Sequence, residues 1–484
     1  MTGRREFIRK SLLGSAGITI AGLSIGNPDN IMDAGTAARR KGKAGTGPEV
    51  EVEAEEEVYQ YMPAENGAGP MWCSGSTCIV RTGREVYASG IETIPGAKPL
   101  NNCRWMLFER TGKGWVLKLA DKDGRTREPA PMTTFHDGRI FLSVNPTLTA
   151  HDTYDGPARP EILQFMAGKE LEPVKLLPGW RGTPPFTEHS YRSFAADGRS
   201  GELILFQNIG YTHAEWAFLS SDGKWSANGK LEWPFGSEYE EPEPIRVCYP
   251  NVALRDRAIY FCGVSDIIEP KKEWRRYKKE LTGKEWDYDF RRLFFTWSDD
   301  ITTGKFHDWI EIAGREATCG WIFPCDLWVA PDKAIHMLWT ERAIDERLRE
   351  KFFPGEKQSN ALNYAIVRNG MVELRKTLAL AEEGGSQVIP GPARFHITPD
   401  NRLFVIYFMK GKDQTGNEVA ENRLVELKGG GASGTSAAIP LKKPFSSFFT
   451  ATVRAGSKPS WFIDLLGIQD GVRNTISYAR IKIN

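Results

Sequence analysis

Short apolar runs recur along the chain, and turns that contain Gly and Asp separate them. The clearest example spans residues 188–225, where strand-like segments at 191–196, 202–208 and 215–220 are joined by turns at 197–201 and 222–223. Alternating or β-rich runs bounded by turn residues are typical of strands paired as hairpins. The pattern predicts an antiparallel unit of three strands that ends in a tight turn.

This unit recurs along the chain as a series of hairpins, each followed by another short strand. The hairpins lie at 78–88, 133–142, 191–208, 249–261, 326–337, 394–406 and 449–464. Units of three or four strands spaced by about sixty residues are the signature of a β-propeller. We therefore predict an all-β fold, a seven-bladed β-propeller that occupies residues 57–484.

The last unit supplies three strands, so its outer edge needs a partner. An open ring would expose unpaired backbone groups, and we predict that segment 58–62 closes the ring beside residues 475–482. Two charged segments, 268–289 and 341–353, interrupt the repeats. They predict two short helical insertions, which are either a lid over one face or ordinary solvated helices.

The N-terminal segment resembles a twin-arginine export signal. Arg4 and Arg5 precede an aromatic and a basic residue, and a Gly-, Ala- and Ser-rich apolar run follows at 11–26. That run is too short and too poor in large side chains for a membrane span. The resemblance implies a signal peptide at 1–30, export to the periplasm or the outside, and no stable membrane insertion after its removal. Residues 31–56 are predicted to be a flexible acidic linker.

Composition narrows the classes of partner. Lys plus Arg (63) and Asp plus Glu (62) nearly cancel, which argues against a nucleic-acid partner. Aromatic residues make up 11% of the chain, which suits all-β packing and the stacking surfaces of sugar sites. The seven His are scattered and no CxxC occurs, so we predict neither a metal site nor a cofactor, and we expect a monomer.

The seven cysteines of a protein predicted to be exported suggest disulfides, with buried free thiols as the alternative. Three pairs are close in sequence: Cys73/Cys78, Cys248/Cys262 and Cys319/Cys325.

One face of the predicted propeller collects most of the polar chemistry. Loops that enter the first strand and leave the second strand of each unit lie at the same end of their hairpins. The candidate catalytic residues there are His189, Tyr191 and His213. The candidate substrate-binding residues are Arg192, Arg246, Tyr249, Asn251, Trp321, Asp326 and Arg394.

These residue types suit an acidic sugar. Histidine titrates near neutrality and can act as acid or base. Arginine pairs with a carboxylate through two hydrogen bonds, and Trp and Tyr offer stacking planes. The alternative for each arginine is a structural role, in which it joins neighbouring blades through carboxylates such as Asp326 or Glu341.

The seven-unit pattern, with an Asp-box-like turn at 220–225, resembles the BNR-repeat propellers. These include sialidases and the propeller polysaccharide lyases that act on ulvan-type or rhamnose–glucuronate polymers. The chain departs from a full Asp box, because the Thr before Trp225 is absent. The lyases use His and Tyr as base and acid, with Arg neutralising the uronate. The resemblance therefore implies cleavage of an acidic polysaccharide by β-elimination, with His213 or His189 as base and Tyr191 as acid.

Two other functions remain open. A sialidase-like or other glycoside hydrolase is the first alternative, in which an arginine triad would act with Tyr249, Glu341 and Asp326. The second alternative is a propeller that binds a glycan without cleaving it. The fold by itself does not decide between them.

Overall fold

Seven antiparallel sheets follow one another along the chain in the computed structural model, which describes residues 40–41, 47–150, 153–169, 172–284, 286–428 and 432–484. The innermost strands of successive sheets contact one another around a closed ring. The prediction of a seven-bladed β-propeller is confirmed. The predicted signal peptide at 1–30 and most of the predicted linker lie outside the described residues.

Each sheet is one blade, numbered here in chain order with its strands given from the axis outward. Blade 1 consists of Ile79–Thr82, Glu85–Thr93, Cys103–Thr111 and Gly114–Ala120. Blade 2 consists of Met132–Thr134, Arg139–Val144, Glu161–Met166 and Val174–Leu176. Blade 3 consists of Ser193–Asp197, Glu202–Ile209, His213–Leu219 and Trp225–Glu232.

Blade 4 consists of Val247–Arg255, Ala258–Ser265, Arg292–Ser298 and Ile310–Gly314. Blade 5 consists of Trp321–Val329, Ile335–Arg342, Ser359–Arg368 and Met371–Glu382. Blade 6 consists of Gln387–Ile397, Leu403–Lys412, Glu418–Lys428 and the short strands Ala432–Ser433 and Ala437–Ala438. Blade 7 consists of Phe445–Thr450, Phe462–Gln469, Thr475–Ile483, Val50–Gln60 and Arg40–Lys41.

The N-terminal strand closes the ring, as predicted, but it is longer than the sequence pattern suggested. Val50–Gln60 pairs antiparallel with Thr475–Ile483, with Val50 opposite Ile483 and Gln60 opposite Thr475. Residues 50–56, predicted as linker, are therefore part of blade 7. The reason is that Val50, Val52 and Ala54 are buried while glutamates alternate with them, a period of two that the acidic composition conceals.

The core consists of apolar layers between neighbouring blades. Phe206 and Phe261 meet between blades 3 and 4, and Val52 packs near Phe404 between blades 6 and 7. Every gap between adjacent blades contains such a layer. Burying both faces of each blade in this way is what holds the loops of the seven blades in a fixed arrangement at each end.

The two predicted helical insertions are present, as α1 (Lys272–Thr282) and α2 (Glu346–Phe352). Trp274 of α1 and Leu348 of α2 are buried together. The Lys278 ammonium donates to Glu269 at 2.8 Å, and Arg291 donates to the same carboxylate. The helices are therefore packed onto blades 4 and 5 rather than simply solvated.

Two small ladders, Phe235–Gly236 with Glu243–Pro244 and Ile267–Ile268 with Tyr288–Asp289, and the 3₁₀ turn Ile301–Thr303 complete the fold. None of the helices in the described ranges has the length and apolar character needed to cross a membrane.

Candidate functional site

The central channel of the propeller is filled at one end by residues 72–76, which we call the axial plug. The plug precedes the inner strand of blade 1, and the backbone N–H of Ser76 donates to the Cys73 carbonyl at 2.8 Å. A Cβ atom on Gly75 would lie 2.3 Å from the Pro250 carbonyl oxygen, so only glycine fits. A hollow of about 10 Å³ remains beside the plug, which is room for about one water molecule.

Loop 451–457 of blade 7 closes the other end of the channel. The N–H groups of Thr134 and Ala196, on blades 2 and 3, donate to carbonyls of this loop at 2.8 and 3.0 Å. Arg454 reaches from the loop through the axis and donates to the Gly75 carbonyl at 2.6 Å. A substrate therefore meets the surface at the plug end and does not enter an open channel.

Two arginines predicted to bind substrate donate to backbone carbonyls inside the propeller. Arg394 donates to the Ser74 carbonyl of the plug at 3.0 Å. Arg192 donates to the carbonyls of Ser143 and Pro129, on blade 2, at 2.6 and 2.8 Å. Each arginine is 4% exposed, so neither guanidinium is available to pair with a substrate carboxylate.

Asp326, also predicted to bind substrate, joins three blades. Its Oδ1 accepts from Arg454 Nε at 2.8 Å, and its Oδ2 accepts from the backbone N–H of Phe395 at 2.9 Å. Its side chain is fully buried. This is the structural alternative that the sequence left open, in which an arginine and a carboxylate hold neighbouring blades together.

His189 and Glu128 form a hydrogen-bonded pair on the plug face. They come from the loops that enter blades 3 and 2, and His189 Nδ1 lies 3.0 Å from Glu128 Oε1. Ser190 donates to both carboxylate oxygens of Glu128, from its N–H at 3.1 Å and its Oγ at 2.7 Å. Burial alone would raise the pKa of Glu128, but the hydrogen bond with His189 and the charge of Arg127 lower it to about 2.

The geometry leaves one nitrogen of His189 available. Arg127 Nη1 also lies within hydrogen-bond distance of Nδ1, while Nε2 has no partner among the residues that the structure describes. The side chain is 25% exposed. Burial lowers the pKa of His189, and the charge of Arg127 lowers it further, against the opposing effect of Glu128. The imidazole is therefore neutral at pH 7. Glu128 can only accept at Nδ1 and Arg127 can only donate there. Nε2 is therefore a free base in the tautomer that donates Nδ1–H to Glu128, and it carries the proton in the tautomer that accepts from Arg127.

Aromatic rings surround His189 and form a continuous surface. The ring of Trp72, in the plug, lies 5.9 Å from that of His189, 5.8 Å from that of Tyr191 and 5.9 Å from that of Tyr249. Tyr191 is 4.6 Å from His189 by ring centroids. The φ angles of Tyr191 and Tyr249 are +41° and +48°, a left-handed conformation that is costly for a bulky residue. Such strain is common at functional sites.

Arg246 lies behind this surface. Its guanidinium is 3.8 Å from the ring centroid of Tyr211 and 5.3 Å from that of Tyr191, and it donates to Asp266 at 2.5 Å. Arg246 is 5% exposed, so its charge acts on the surface through the rings rather than by direct contact. Burial raises the pKa of Tyr191 well above its usual value, and Asp266 adds to this effect. The Tyr191 phenol is therefore protonated at neutral pH.

The remaining predicted residues form no hydrogen bond or ring contact with His189 or Glu128 in the described structure. His213 begins the third strand of blade 3, where its ring nitrogens contact Thr212 Oγ1 at 2.8 Å and Glu215 Oε1 at 3.1 Å. Trp321 stacks on Phe323, whose ring lies 5.2 Å from that of Tyr249, and so extends the aromatic surface. Asn251 is 1% exposed, and no hydrogen-bond partner for its amide is present in the described structure.

Sequence reasoning missed Arg127 and Glu128. Both lie in the loop that enters the inner strand of blade 2, which is the position that singled out His189 in blade 3. The same positional rule, applied to blade 2, would have found them. In the described part of the chain, no group of three or more His, Cys, Asp or Glu side chains is placed to hold a metal ion.

Comparisons with known proteins assign no family to the chain. No family model matches the chain, and no curated protein matches it either. The polysaccharide lyase Uly1 superposes with 11% identity and a TM-score of 0.47, over 84% of this chain and 90% of that one. The α-L-arabinofuranosidase arb93a of Fusarium graminearum superposes with 10% identity and a TM-score of 0.40, over 89% of this chain and 98% of that one. A puromycin-hydrolysing peptidase of Mycobacterium tuberculosis superposes with 13% identity and a TM-score of 0.43, over 86% of this chain and 52% of that one. These names span different reactions, and a shared fold does not determine an activity.

Proposed function

We propose that this protein is an exported enzyme that cleaves an acidic, uronate-containing polysaccharide by β-elimination on the plug face. The observation that supports the proposal best is the neutral His189, whose Nδ1 contacts Glu128 and whose Nε2 has no partner among the described residues. Its ring centroid lies 4.6 Å from that of Tyr191, whose phenol is protonated. A free base next to a proton donor is what β-elimination requires.

In the proposed reaction, His189 Nε2 takes the proton from C5 of the uronate. The electron pair of that C–H bond forms the C4–C5 double bond, and the bond from C4 to the glycosidic oxygen breaks. The Tyr191 hydroxyl donates its proton to the leaving oxygen. Glu128 stabilises the imidazolium that forms, as a buried carboxylate does for a catalytic histidine.

Buried positive charge favours an anionic substrate at this face. Three arginines near the axis are paired with carboxylates, Arg127 with Glu128, Arg246 with Asp266 and Arg454 with Asp326. Arg192 and Arg394 donate to carbonyl groups, and no ion pair of theirs is found in the described structure. Glu128 acts on Arg192 and Asp326 acts on Arg394, but these carboxylates are already paired with Arg127 and Arg454. The five arginines therefore outnumber these three carboxylates, and the excess positive charge would attract a carboxylate and stabilise the charge that develops at C5.

Trp72 and the neighbouring tyrosines supply the sugar platform. The hollow beside the plug is too small for a sugar ring, so the chain of the polymer lies across the exposed edges of these rings. A sugar held in this way presents its C5 proton toward His189.

The residues proposed for a sialidase-like hydrolase are not gathered into one site. Asp326 is bound to Arg454, and Glu341 is bound to Arg315 and accepts from Trp339 Nε1 at 3.1 Å. A sialidase-like reaction needs its acidic residues free to reach the scissile bond, and both of these carboxylates are already held by arginines. The geometry therefore favours elimination over hydrolysis.

The experiment is to incubate the protein with uronate-containing glycans and to follow the ultraviolet absorbance of the unsaturated product. His189→Ala should lower kcat/KM by about a hundredfold or more, because a general base contributes about 10²–10⁴. His213→Ala should retain activity, since its ring lies with Thr212 and Glu215 instead. The pKa of His189 is lowered, so activity should rise with pH through a value below the usual 6.5 of histidine.

The outcomes separate the three functions. Reducing sugar without the unsaturated chromophore would establish hydrolysis. Glycan binding without turnover, measured by calorimetry, would establish a binding propeller. Equal losses of kcat/KM in His189→Ala and His213→Ala would contradict the assignment of His189 as the general base.

A further inference from the structure

Two thiols meet where the axial plug joins blade 1. The sulfur atoms of Cys73, in the plug, and Cys78, next to the inner strand Ile79–Thr82, are 3.3 Å apart. Cys73 is half-buried and Cys78 is 2% exposed. The turn that the Ser76 N–H makes to the Cys73 carbonyl brings the two residues together.

The other two pairs suggested by the sequence do not face each other. In blade 4, Cys262 lies opposite Asn251 and Cys248 lies opposite Val264. Cys248 donates to Asp266 at 2.7 Å. Cys319 packs with α1 and α2, whereas Cys325 belongs to the layer between blades 5 and 6. The described structure includes all seven cysteines, and among them only Cys73 and Cys78 bring their sulfur atoms into contact.

We propose that Cys73 and Cys78 are a disulfide-forming site, and that the bond joins the axial plug covalently to the inner strand of blade 1. The oxidant is a disulfide of the compartment, either a small-molecule disulfide or a dithiol oxidoreductase. The product is one new S–S bond, and the oxidant is reduced to two thiols.

The two thiols differ in a way that fixes the order of steps. The half-buried Cys73 is the sulfur that an external disulfide can reach, although its hydrogen bond with Cys78 and its burial raise its pKa. Once it loses its proton, its thiolate attacks first, forms a mixed disulfide and releases one thiolate. Cys78 then attacks the Cys73 sulfur and releases the second. Burial opposes ionisation of Cys78, but hydrogen bonds with Cys73 and Ser89 and the charge of Arg192 lower its pKa overall. A thiol of lowered pKa is the better resolving group.

The bond would act on the aromatic surface through Trp72, which precedes Cys73 and packs against His189 and Tyr191. Oxidation would then hold Trp72 at its place on the plug face. This consequence for catalysis rests on the proposed function, whereas the disulfide itself does not.

The test is to equilibrate the purified full chain in oxidised or in reduced glutathione, quench with acid, denature and alkylate the remaining thiols before intact-mass analysis. In reduced glutathione all seven cysteines should be alkylated, and in oxidised glutathione two should be protected. Peptide mapping should place the crosslink between Cys73 and Cys78. Cys73→Ser and Cys78→Ser should each abolish the protection of a pair, whereas the matched control Cys103→Ser should retain it.

The mass readout does not depend on activity, so it distinguishes failure of this inference from failure of the proposed reaction. Full alkylation in oxidised glutathione, a crosslink between any other pair, or a glutathione adduct on Cys73 that persists at equilibrium would each overturn it.

Discussion

The ion pair between Arg454 and Asp326 is the contact on which the closed axis depends most. Arg454 donates to Asp326 at 2.8 Å and to the Gly75 carbonyl at 2.6 Å, with side chains 3% and 0% exposed. Asp326 also accepts from the N–H groups of Leu327 and Phe395, each at 2.9 Å. Arg454→Met would leave a buried carboxylate without its counter-ion and a plug carbonyl without its donor.

Removing one partner of a buried ion pair costs about 3–5 kcal/mol. An unfolding entropy of about 2.1 cal/mol/K per residue, over a propeller of about 430 residues, gives roughly 0.9 kcal/mol/K. The melting temperature of Arg454→Met should therefore fall by about 3–6 °C. Asp326→Asn in the same chain should recover at least half of the loss, because the charge is gone while the amide oxygen still accepts a backbone N–H.

Differential scanning fluorimetry of the wild type, both single variants and the double variant completes the cycle. Lys224→Met removes an ion pair whose side chains are 80% and 54% exposed, and it should leave the melting temperature unchanged. If Arg454→Met melts within 1 °C of the wild type while glycan binding weakens, the pair serves the substrate and our structural assignment is wrong.

Two further predictions concern the plug and the closing strand. Gly75→Ala should displace the plug, lower the melting temperature and abolish turnover, because the added Cβ would meet the Pro250 carbonyl. The control Gly69→Ala should change neither the melting temperature nor turnover, because no atom lies within 4 Å of the added Cβ. Equal melting temperatures and equal activities in the two variants would contradict this. A chain that starts at residue 47 should melt like the full chain. A chain that starts at residue 61 should melt lower and associate through the open edge of Thr475–Ile483, as seen by size-exclusion chromatography; equal melting of the two chains would show that Val50–Gln60 does not close the ring.

The repeat architecture was accessible from the sequence because each blade repeats the same local signals. Strand alternation and Gly- and Asp-rich turns act within a few residues, so seven units could be counted without knowledge of any contact. The start of the closing strand was less accessible, because Val50, Val52 and Ala54 lie in a run rich in glutamate. Only their pairing with Thr475–Ile483, more than four hundred residues away, shows that the run is a strand.

The site was predicted in part, because position on a face does not determine what a side chain binds. His189, Tyr191, Tyr249 and Arg246 do meet at the plug face. Arg192 and Arg394 share that face in the topology, yet their guanidinium groups turn inward to carbonyls. The plug explains this for Arg394, since a segment that crosses the axis has carbonyls that strands cannot satisfy. Arg192 donates to carbonyls of blade 2 instead. Nothing in the local pattern of residues 72–76 announces such a crossing.

The plug also changes what the charged residues of the face imply about a ligand. An arginine that reaches solvent would select a carboxylate by direct pairing, and its loss would raise KM with little effect on folding. Arginines that bind the plug instead fix the position of Trp72, and in the proposed function the excess of arginine over carboxylate near the axis supplies charge from beneath the aromatic surface. Specificity at this face then depends on the rings and His189, while the buried cations set the sign of the charge that is attracted. A neutral polymer of the same shape would make the same stacking contacts without that attraction, so the preference for an acidic polymer should weaken as ionic strength rises.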